Sequence, residues 1–317
     1  MMPKIPLIII CGPTAVGKTR LAVDVARNFG GEVISADSMQ VYRHMNIGTA
    51  KPTTEEMDGI PHHLINLLEP TESFSVAQYA ELAREYIANV FNRGSLPIMV
   101  GGTGLYIQAI ADNIKYTEMA GETSFREQLR LEAIQQGNKA VWEKLRNVDP
   151  GLAETLHPNN LGRVIRGLEV FHLTGIPMSS WQQESKKEPS PYNILMLGLS
   201  FSDRERLYER INLRIDQMLK AGILEELRHL IDLGFSGTAA QAIGYKEMMA
   251  YLDGSQTYEE AVECLKMETR RYAKRQMTWL RRDERIYWLE ADREYCLVRG
   301  EAFEKIAAFL EGTPHLC

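Results

Sequence analysis

Short apolar runs alternate with amphipathic stretches along the first third of the chain. Residues 7–11, 33–36 and 96–100 are apolar runs of the length and character of buried strands. Apolar side chains recur at helical spacing over residues 75–91, between the second and third runs. Strands that alternate with helices predict right-handed βαβ units and therefore a parallel sheet.

The pattern changes near residue 116 and returns near residue 194. Residues 124–146 and 162–173 predict polar, amphipathic helices, and residues 184–191 form a charged, proline-bearing linker. The apolar run 194–199 then predicts another strand of the sheet. We therefore predict a core of residues 1–116 and 194–317, with a helical insertion of residues 117–193. Two long helices, 202–233 and 258–285, are predicted in the second part of the core.

The segment after the first strand has the pattern of a phosphate-binding loop. Residues 12–19 read Gly-Pro-Thr-Ala-Val-Gly-Lys-Thr and lie between the strand 7–11 and a helix-like stretch, 20–26. Glycines let such a loop wrap around an anion, while the N–H groups at the helix start point towards it. Lys18 adds positive charge, and the Thr19 hydroxyl can hold Mg²⁺. The predicted fold class is thus α/β, a P-loop NTPase-like parallel sheet flanked by helices, with a mainly helical insertion domain.

Composition narrows the class of protein only a little. The 317 residues are 44% hydrophobic and 25% charged, which is ordinary for a globular protein. The net charge of −6 does not exclude a nucleic-acid binder, because a local basic face decides such binding. No apolar stretch approaches about 18 residues, so we expect a cytoplasmic protein without a membrane segment. The four cysteines lack metal-ligand spacing.

Three polar side chains follow the ends of predicted strands. Ligands of parallel sheets bind at the carboxyl ends of the strands, so we expect Thr14, Asp37 and Thr103 around one crevice. Asp37 is a candidate general base or acceptor-orienting group, and the alternative is an Asx turn. Glycines on both sides of Thr103 allow close approach of a ligand, and the alternative is an ordinary turn with Thr103 as helix cap.

The end of the third strand also bears on the class of enzyme. A nucleotide-hydrolysing P-loop enzyme usually has a Mg²⁺-holding Asp at the end of a neighbouring strand. Here the strand 96–100 runs into Gly101 and Gly102. The absence of an Asp at this strand end argues against an ATP motor or a GTPase.

Two later segments carry clustered basic residues. Arg206, Arg210 and Arg214 lie one turn apart on a predicted helix, where they can clamp a leaving diphosphate or form a solvated face paired with glutamates. Spacing alone favours the solvated face. The second segment, 270–285, places its basic residues and one threonine on one helix face and thereby predicts contact with RNA or another polyanion. The residues of this face are Arg271, Lys274, Arg275, Thr278, Arg281, Arg282 and Arg285.

Taken in order, the motifs resemble those of one family. They are the loop 12–19, Ile-Ser-Ala-Asp-Ser-Met-Gln-Val-Tyr at 34–42, Ile-Gly-Thr-Ala-Lys-Pro at 47–52, His-His-Leu at 62–64, Val-Gly-Gly-Thr-Gly-Leu-Tyr at 100–106, Gln-Ala-Ile-Gly-Tyr-Lys at 241–246 and Lys-Arg-Gln-Met-Thr-Trp-Leu-Arg at 274–281. From about residue 5 to residue 290 the chain resembles bacterial tRNA dimethylallyltransferases, also called tRNA isopentenyltransferases.

The resemblance implies a reaction and its participants. A dimethylallyl group moves from dimethylallyl diphosphate to the exocyclic amine of the adenosine 3′-adjacent to the anticodon of tRNA. Mg²⁺ is the implied cofactor, the anticodon stem-loop is the implied partner, and we expect a monomer. Catalytic roles are implied for Asp37 as general base and for Lys18, Thr103 and Arg210. Diphosphate contacts are implied for Gly12, Thr14, Ala15, Val16, Gly17, Lys18 and Thr19, with Thr19 also as metal ligand.

The same resemblance implies the residues that contact tRNA. Those in the core are Asp37, Ser38, Met39, Gln40, Thr103, Gln241, Gly244, Tyr245, Lys246, Lys274, Arg275 and Arg281. Those in the insertion are Arg126, Arg163 and Arg166. Gly162 departs from the family pattern, which has Gln or Arg there, and this places a side-chain contact at position 162 in doubt.

Two other functions remain open at this level. A small-molecule or nucleotide kinase explains the first 110 residues but leaves the basic segment 270–285 without a role. A non-catalytic RNA-binding protein explains that segment but leaves Lys18, Thr19 and Asp37 without one.

Overall fold

The chain divides into two compact units. The computed structural model describes residues 4–114, 116, 123–185 and 189–312. The core unit consists of Met1–Ala111 and Pro191–Cys317, and the insertion unit is Asp112–Ser190. Residues 186–188 of the predicted linker lie outside the described residues.

A parallel sheet organises the core unit. Its strands are β1 (Ile5–Cys11), β2 (Gly31–Ala36), β3 (His62–His63), β4 (Leu96–Gly101), β5 (Tyr192–Ser200) and β6 (Ile286–Glu290). They lie in the order β3-β2-β4-β1-β5-β6, and every neighbouring pair is parallel. The predicted P-loop NTPase-like α/β sheet is thereby confirmed. The short strands β3 and β6 were not predicted.

Helices make up most of the remaining described chain. They are α1 (Lys18–Phe29), α2 (Thr54–Met57), α3 (Val76–Asn92), α4 (Gly104–Ala111), α5 (Thr123–Gln136), α6 (Asn138–Val148), α7 (Pro150–Thr155), α8 (Leu161–Thr174), α9 (Met178–Ser185), α10 (Arg204–Ala221), α11 (Ile223–Asp232), α12 (Tyr245–Leu252), α13 (Tyr258–Leu280) and α14 (Tyr295–Glu311). None of the described helices is long and apolar enough to cross a bilayer.

The central strands have the burial of a sheet covered on both faces. Every residue of β4 is buried, as are six of the seven residues of β1. This burial accounts for the continuous apolar runs in their sequences, because a strand covered on both faces has no solvent-facing positions. Ile8 of β1 lies between Ile98 of β4 and Leu195 of β5, which fixes the register at the centre of the sheet.

Left-handed glycines shorten two of the predicted helices. Gly222 has φ 97° and separates α10 from α11, so the predicted helix 202–233 is wrong as a single element. Gly137 has φ 86° and separates α5 from α6 within the predicted helix 124–146. A residue with a side chain is strained at these angles, whereas glycine adopts them readily and ends a helix there.

The predicted helix 258–285 is also too long. α13 ends at Leu280, and the chain turns at Asp283, whose Oδ1 accepts the N–H of Arg285 at 3.0 Å. The next residue, Ile286, begins β6. The basic residues 282 and 285 therefore lie in the turn after α13 and do not continue its exposed face.

The insertion unit has a hydrophobic core of its own. Leu129 of α5, Val141 and Leu145 of α6, and Val164 and Leu168 of α8 are buried in one cluster. These positions share one face of each helix, as amphipathic periodicity requires. The unit is all-helical among its described residues.

Candidate active site

The phosphate loop leaves the carboxyl end of β1 and leads into α1. Gly12 has φ 151°, and a Cβ there would lie 2.5 Å from the Leu199 carbonyl oxygen, so glycine is required. Gly17 has φ 94° at the N-cap of α1. Ala15 has φ 68°, an uncommon conformation for a residue with a side chain. The Lys18 ammonium donates to the Pro13 carbonyl oxygen at 2.6 Å, within the loop itself.

A cavity of about 820 Å³ opens beside this loop. Its walls come from the loop, residues 37–40, residues 48–50, α10, residues 241–244 and α13. The predicted site residues that line it are Thr14, Ala15, Gly17, Lys18, Thr19, Asp37, Ser38, Met39, Gln40, Arg210, Gln241, Gly244 and Arg275. The structure thus brings together residues that are more than 200 positions apart in sequence.

Several predicted residues of the core unit lie outside that lining. They are Gly12, Val16, Thr103, Tyr245, Lys246, Lys274 and Arg281. Thr103 is nevertheless tied to the site, because its Oγ1 accepts the Ser38 N–H at 3.2 Å and its own N–H donates to the Ala36 carbonyl oxygen. Thr103 directly precedes α4, and its carbonyl oxygen accepts the N–H groups of Tyr106 and Ile107, while its hydroxyl is turned to Ser38.

Two of the three α10 arginines that the sequence analysis singled out contact the phosphate loop. Arg210 Nε donates to the Ala15 carbonyl oxygen at 3.1 Å, and Arg214 donates to Thr14 Oγ1 and to the Ala50 carbonyl oxygen, each at 3.4 Å. Arg206 lies instead 3.8 Å from the Asp292 carboxylate. Arg210 and Arg214 therefore contact the phosphate loop instead of the glutamates of a solvated face, although Arg210 remains exposed. Arg214 was not among the predicted site residues.

The cations beside the loop affect one another. Burial, followed by the nearby positive charge of Arg214, lowers the pKa of Lys18 to about 8, although Asp37 acts in the opposite direction. Burial also lowers the pKa of Arg214, which stays charged at neutral pH. An anionic ligand stabilises cations that are held close together.

Asp37 lies at the end of β2 and shapes the following turn. Its Oδ1 accepts the N–H groups of Met39 at 2.9 Å and Gln40 at 3.3 Å. This is the Asx turn that formed the alternative interpretation of Asp37, so the turn is confirmed. The second carboxylate oxygen, Oδ2, has no hydrogen-bond partner among the described residues and is available to a ligand.

A glutamine that the motifs did not single out joins two parts of the site. Gln276 of α13 is buried, and its Oε1 accepts the Thr14 N–H at 2.9 Å while its Nε2 donates to the Gly102 carbonyl oxygen at 3.0 Å. Its role is not evident from the sequence, because its partners lie 262 and 174 positions away along the chain. The available signal was the glycine at position 102, where a Cβ would lie 2.1 Å from Gln276 Nε2.

The basic surface at the end of α13 includes cations without acidic partners. Lys274, Arg275, Arg281 and Arg282 are exposed and form no ion pair with any residue that the structure describes. In contrast, Arg271 pairs with Glu268 at 2.7 Å and Arg285 pairs with Asp283 at 2.6 Å. The four unpaired cations are the part of the predicted basic face that is ready to meet a polyanion.

Tyr245 lies inside the core unit. Its side chain is fully buried, and its hydroxyl donates to Glu226. The contact of residue 245 with tRNA that the motif implies stays a prediction. The neighbouring Lys246 and Gln241 are exposed, and Gly244 is buried with φ 106°.

The predicted arginines of the insertion unit meet at one carboxylate. Glu169 has a fully buried side chain and accepts from Arg126 at 2.6 and 2.9 Å and from Arg166 at 2.7 Å. Burial of Glu169 acts to raise its pKa, and the two arginines outweigh this effect and lower it. Arg163 is exposed. Arg126 and Arg166 thus have a structural role, while 40% and 37% of their side-chain surface remains exposed.

The donor set of the cavity suits Mg²⁺ better than a transition metal. Among the described residues, no three His, Cys, Asp or Glu side chains are grouped as a metal site. The cavity offers the Thr19 hydroxyl and the carboxylates of Asp37 and Glu56. Oxygen ligands of this kind, few in number and completed by phosphate and water, are typical of Mg²⁺.

Known proteins share this sequence and fold. The family model described as IPP transferase matches residues 40–283. A tRNA dimethylallyltransferase of Caldanaerobacter subterraneus subsp. tengcongensis is 48% identical over 312 residues, which cover 97% of this chain and 99% of that protein. One of Shouchella clausii is 49% identical over 311 residues, covering 98% and 99%.

Solved structures agree. The full-length tRNA isopentenylpyrophosphate transferase of Bacillus halodurans has a TM-score of 0.74 and 46% identity, with 98% of each chain covered. A eukaryotic dimethylallyltransferase acting on tRNA has a TM-score of 0.82 and 30% identity, covering 98% of this chain and 80% of that one. The resemblance inferred from the motifs is confirmed. The chain therefore belongs to the IPP transferase family.

Proposed function

We propose that this protein transfers a dimethylallyl group from dimethylallyl diphosphate to the exocyclic amine of the adenosine 3′-adjacent to the anticodon in tRNA. One observation carries the proposal: the phosphate loop and the Asp37 carboxylate line the same cavity. A phosphate site alone suits many enzymes. Beside that site, the Asp37 carboxylate has a free oxygen that can receive a proton from an attacking amine.

The donor's diphosphate is held by the loop and by α10. Lys18 and the N–H groups at the start of α1 provide positive charge on one side, and Arg210 and Arg214 provide it on the other. As the carbon–oxygen bond breaks, negative charge grows on the departing diphosphate. Preorganised groups of this type are worth about 2–4 kcal/mol each to a transition state.

Thr19 is the residue that would hold Mg²⁺ through its hydroxyl, as the first side chain after Lys18 in the loop. When bound, Mg²⁺ supplies further positive charge next to the diphosphate oxygens. The fit of the cavity oxygens to this ion supports the proposal.

The acceptor is a weak nucleophile that needs positioning. The lone pair of an adenine amine is delocalised into the ring, so the base must leave the anticodon-loop stack and face the donor carbon. The amine nitrogen then forms a bond to that carbon, the diphosphate leaves with the bonding electrons, and Asp37 Oδ2 takes the proton. Ser38, held by Thr103, lies next to Asp37 and borders the acceptor side.

The RNA is contacted through the exposed cations of α13 and the turn that follows it. Arg275 lines the cavity itself, and Lys274, Arg281 and Arg282 extend the basic surface. Relatives named as tRNA dimethylallyltransferases support tRNA as the substrate. We extend the proposal to Arg163 of the insertion unit, and to Arg126 and Arg166 through their exposed guanidinium edges.

We propose a monomer as the working unit. We propose the cytoplasm as its compartment, in keeping with a tRNA substrate. The kinase and RNA-binding-module alternatives lose support because the match to tRNA dimethylallyltransferases covers 97–98% of this chain, including both the phosphate loop and the basic segment 270–285.

A comparison of two labelled donors tests the proposal. The protein is incubated with Mg²⁺ and unmodified tRNA that carries adenosine after the anticodon, with either labelled dimethylallyl diphosphate or γ-labelled ATP. We expect label in the RNA only from the prenyl donor. Transfer of the ATP label with none from the prenyl donor would support the kinase, and binding without any transfer would support the RNA-binding module.

A further inference from the structure

Gln276 holds the phosphate loop from a helix far along the chain. Its side chain is 7% exposed and bonds at once to the Thr14 N–H and the Gly102 carbonyl oxygen. These partners lie 262 and 174 positions away in sequence. Both belong to the strand-end segments that define the cavity, one after β1 and one after β4.

A carboxamide suits the chemistry of this link. The Thr14 N–H needs an acceptor and the Gly102 carbonyl needs a donor, and the carboxamide of Gln276 supplies both on one planar group at any ordinary pH. Asn is one methylene shorter than Gln276. No other side chain of the described chain bonds to either of these two backbone groups.

Two glycines let α13 come close enough to make the link. A Cβ at Gly102 would lie 2.1 Å from Gln276 Nε2, and a Cβ at Gly104 would lie 2.1 Å from Trp279 Cδ1. Gln276 and Trp279 are three positions apart and so lie on one face of α13. α13 therefore packs directly against the glycine-rich segment after β4.

The link acts on the most strained residue of the phosphate loop. Ala15 has φ 68°, and such a conformation persists only when its surroundings hold it. Gln276 fixes the N–H of the preceding residue, Thr14, and Arg210 fixes the Ala15 carbonyl oxygen. The two contacts hold the loop on both sides of Ala15.

We propose that Gln276 is a positioning residue that presets the phosphate loop for its diphosphate ligand from α13, the helix that also carries the exposed basic side chains. The role rests on the proposed function, because it assigns the preset loop to that ligand. Thr14 N–H is engaged by Gln276, so the ligand meets the N–H groups from Ala15 onwards and the cations around them.

Pyrophosphate binding tests the proposal with inorganic pyrophosphate and Mg²⁺ as the probe, measured by calorimetry. Gln276→Met keeps the length of the side chain and removes both hydrogen bonds. We expect its Kd for pyrophosphate to rise about tenfold or more, the ratio that corresponds to one lost hydrogen bond to a buried group. A Kd equal to that of the wild type would overturn the proposal.

A second variant guards against a general loss of structure. Gln276→Glu can replace both hydrogen bonds only when its carboxyl is protonated, with the carbonyl oxygen accepting from Thr14 and the O–H donating to Gly102. Its Kd, divided by the wild-type Kd at the same pH, should therefore fall as the pH is lowered. A ratio that is unchanged with pH would contradict the role, whether or not Gln276→Met folds.

The outcomes separate this inference from the proposed function. If the wild-type protein binds no pyrophosphate, the donor assignment fails. If the wild type binds it and both variants bind it equally well, only the role of Gln276 fails. Gln135→Met, at an exposed position of α5 in the insertion unit, is the matched substitution and should leave the Kd unchanged.

Discussion

The Tyr245 hydroxyl donates to Glu226 Oε1 at 2.6 Å, and the same carboxylate accepts three consecutive backbone N–H groups. These belong to Asn46, Ile47 and Gly48, at 2.9, 2.9 and 3.0 Å. A Cβ at Gly48 would lie 2.5 Å from the Tyr245 ring, so the loop passes directly over the aromatic side chain. The motifs 47–52 and 241–246 are therefore two halves of one contact that shapes a wall of the cavity.

Removal of the Tyr245 hydroxyl should loosen this wall without removing it. Tyr245→Phe leaves Glu226 with three donors, so we expect the free energy of unfolding to fall by about 1 kcal/mol. The amides of residues 46–48 should exchange faster with solvent in hydrogen-exchange measurements. Glu225→Gln is the control. Glu225 lies beside Glu226 on α11, its side chain is 72% exposed, and its substitution should change neither quantity. Unaltered hydrogen exchange at residues 46–48 in Tyr245→Phe would show that the Tyr245 hydroxyl does not stabilise this segment.

Asp37→Asn separates the two roles of this residue. Asn keeps an Oδ1 that can accept from Met39 and Gln40, so the Asx turn should survive, while the proton acceptor is lost. We expect kcat to fall about a hundredfold or more, the usual share of a general base. RNA affinity and melting temperature should stay close to those of the wild type. Activity within a few-fold of the wild type would remove Asp37 as the base.

Local features of this protein could be predicted from the sequence, and long-range polar contacts could not. The strands β1, β2, β4 and β5 are apolar runs because they are buried, and the phosphate loop has a pattern set by its own backbone. Gln276 resembles any glutamine on a helix surface, since its partners are far away in sequence. The same holds for Tyr245, because its motif is recognisable in the sequence but the orientation of its ring depends on Glu226.

Pyrophosphate affinity should depend on the charge of Lys18. The pKa of Lys18 in the ligand-free protein is lowered to about 8 by burial and by Arg214, and a bound anion raises it. Affinity should thus be constant below about pH 8 and decrease as the pH rises above it, because the deprotonated amine must first regain its proton. Calorimetry at several pH values measures this break.

The control for that break must account for a second lysine. Burial also lowers the pKa of Lys51 to about 8. The Lys51 ammonium donates to the Tyr42 carbonyl oxygen and to Asn46 Oδ1, outside the phosphate loop. Lys18→Gln should therefore bind more weakly and lose the break near pH 8 although Lys51 is retained. If the break persists in Lys18→Gln, it belongs to Lys51 or to another group.

Arg275→Ala should weaken RNA binding through charge. Arg275 is exposed, lines the cavity and has no acidic partner among the described residues, so its guanidinium is available to a phosphate. We expect the slope of log affinity against log salt to become shallower by about 1. Arg285→Ala removes the same charge at a site paired with Asp283 and should change the slope less. Equal slopes for wild type and Arg275→Ala would place the basic surface away from the RNA.

Glu169→Gln should destabilise the insertion unit in a pH-dependent way. The buried carboxylate receives hydrogen bonds from two arginines, so its loss should cost about 2 kcal/mol at neutral pH. The folded pKa of Glu169 is lowered from 4.5, so this contribution is present above that value and is lost as the pH falls below it. Denaturant unfolding at pH 7 and at lower pH should show the wild type and variant converging. A constant difference would exclude the ion pairs as its source.

We propose that one cavity joins a prenyl diphosphate to an adenosine amine. The most direct test uses two anticodon stem-loop RNAs that differ only after the anticodon, where one has adenosine and the other inosine, which lacks the exocyclic amine. Each is incubated with the protein, Mg²⁺ and labelled dimethylallyl diphosphate, then digested and analysed by mass spectrometry. We expect N6-dimethylallyladenosine in the first RNA and no label in the second. Equal labelling of both RNAs, or labelling of neither, would contradict it.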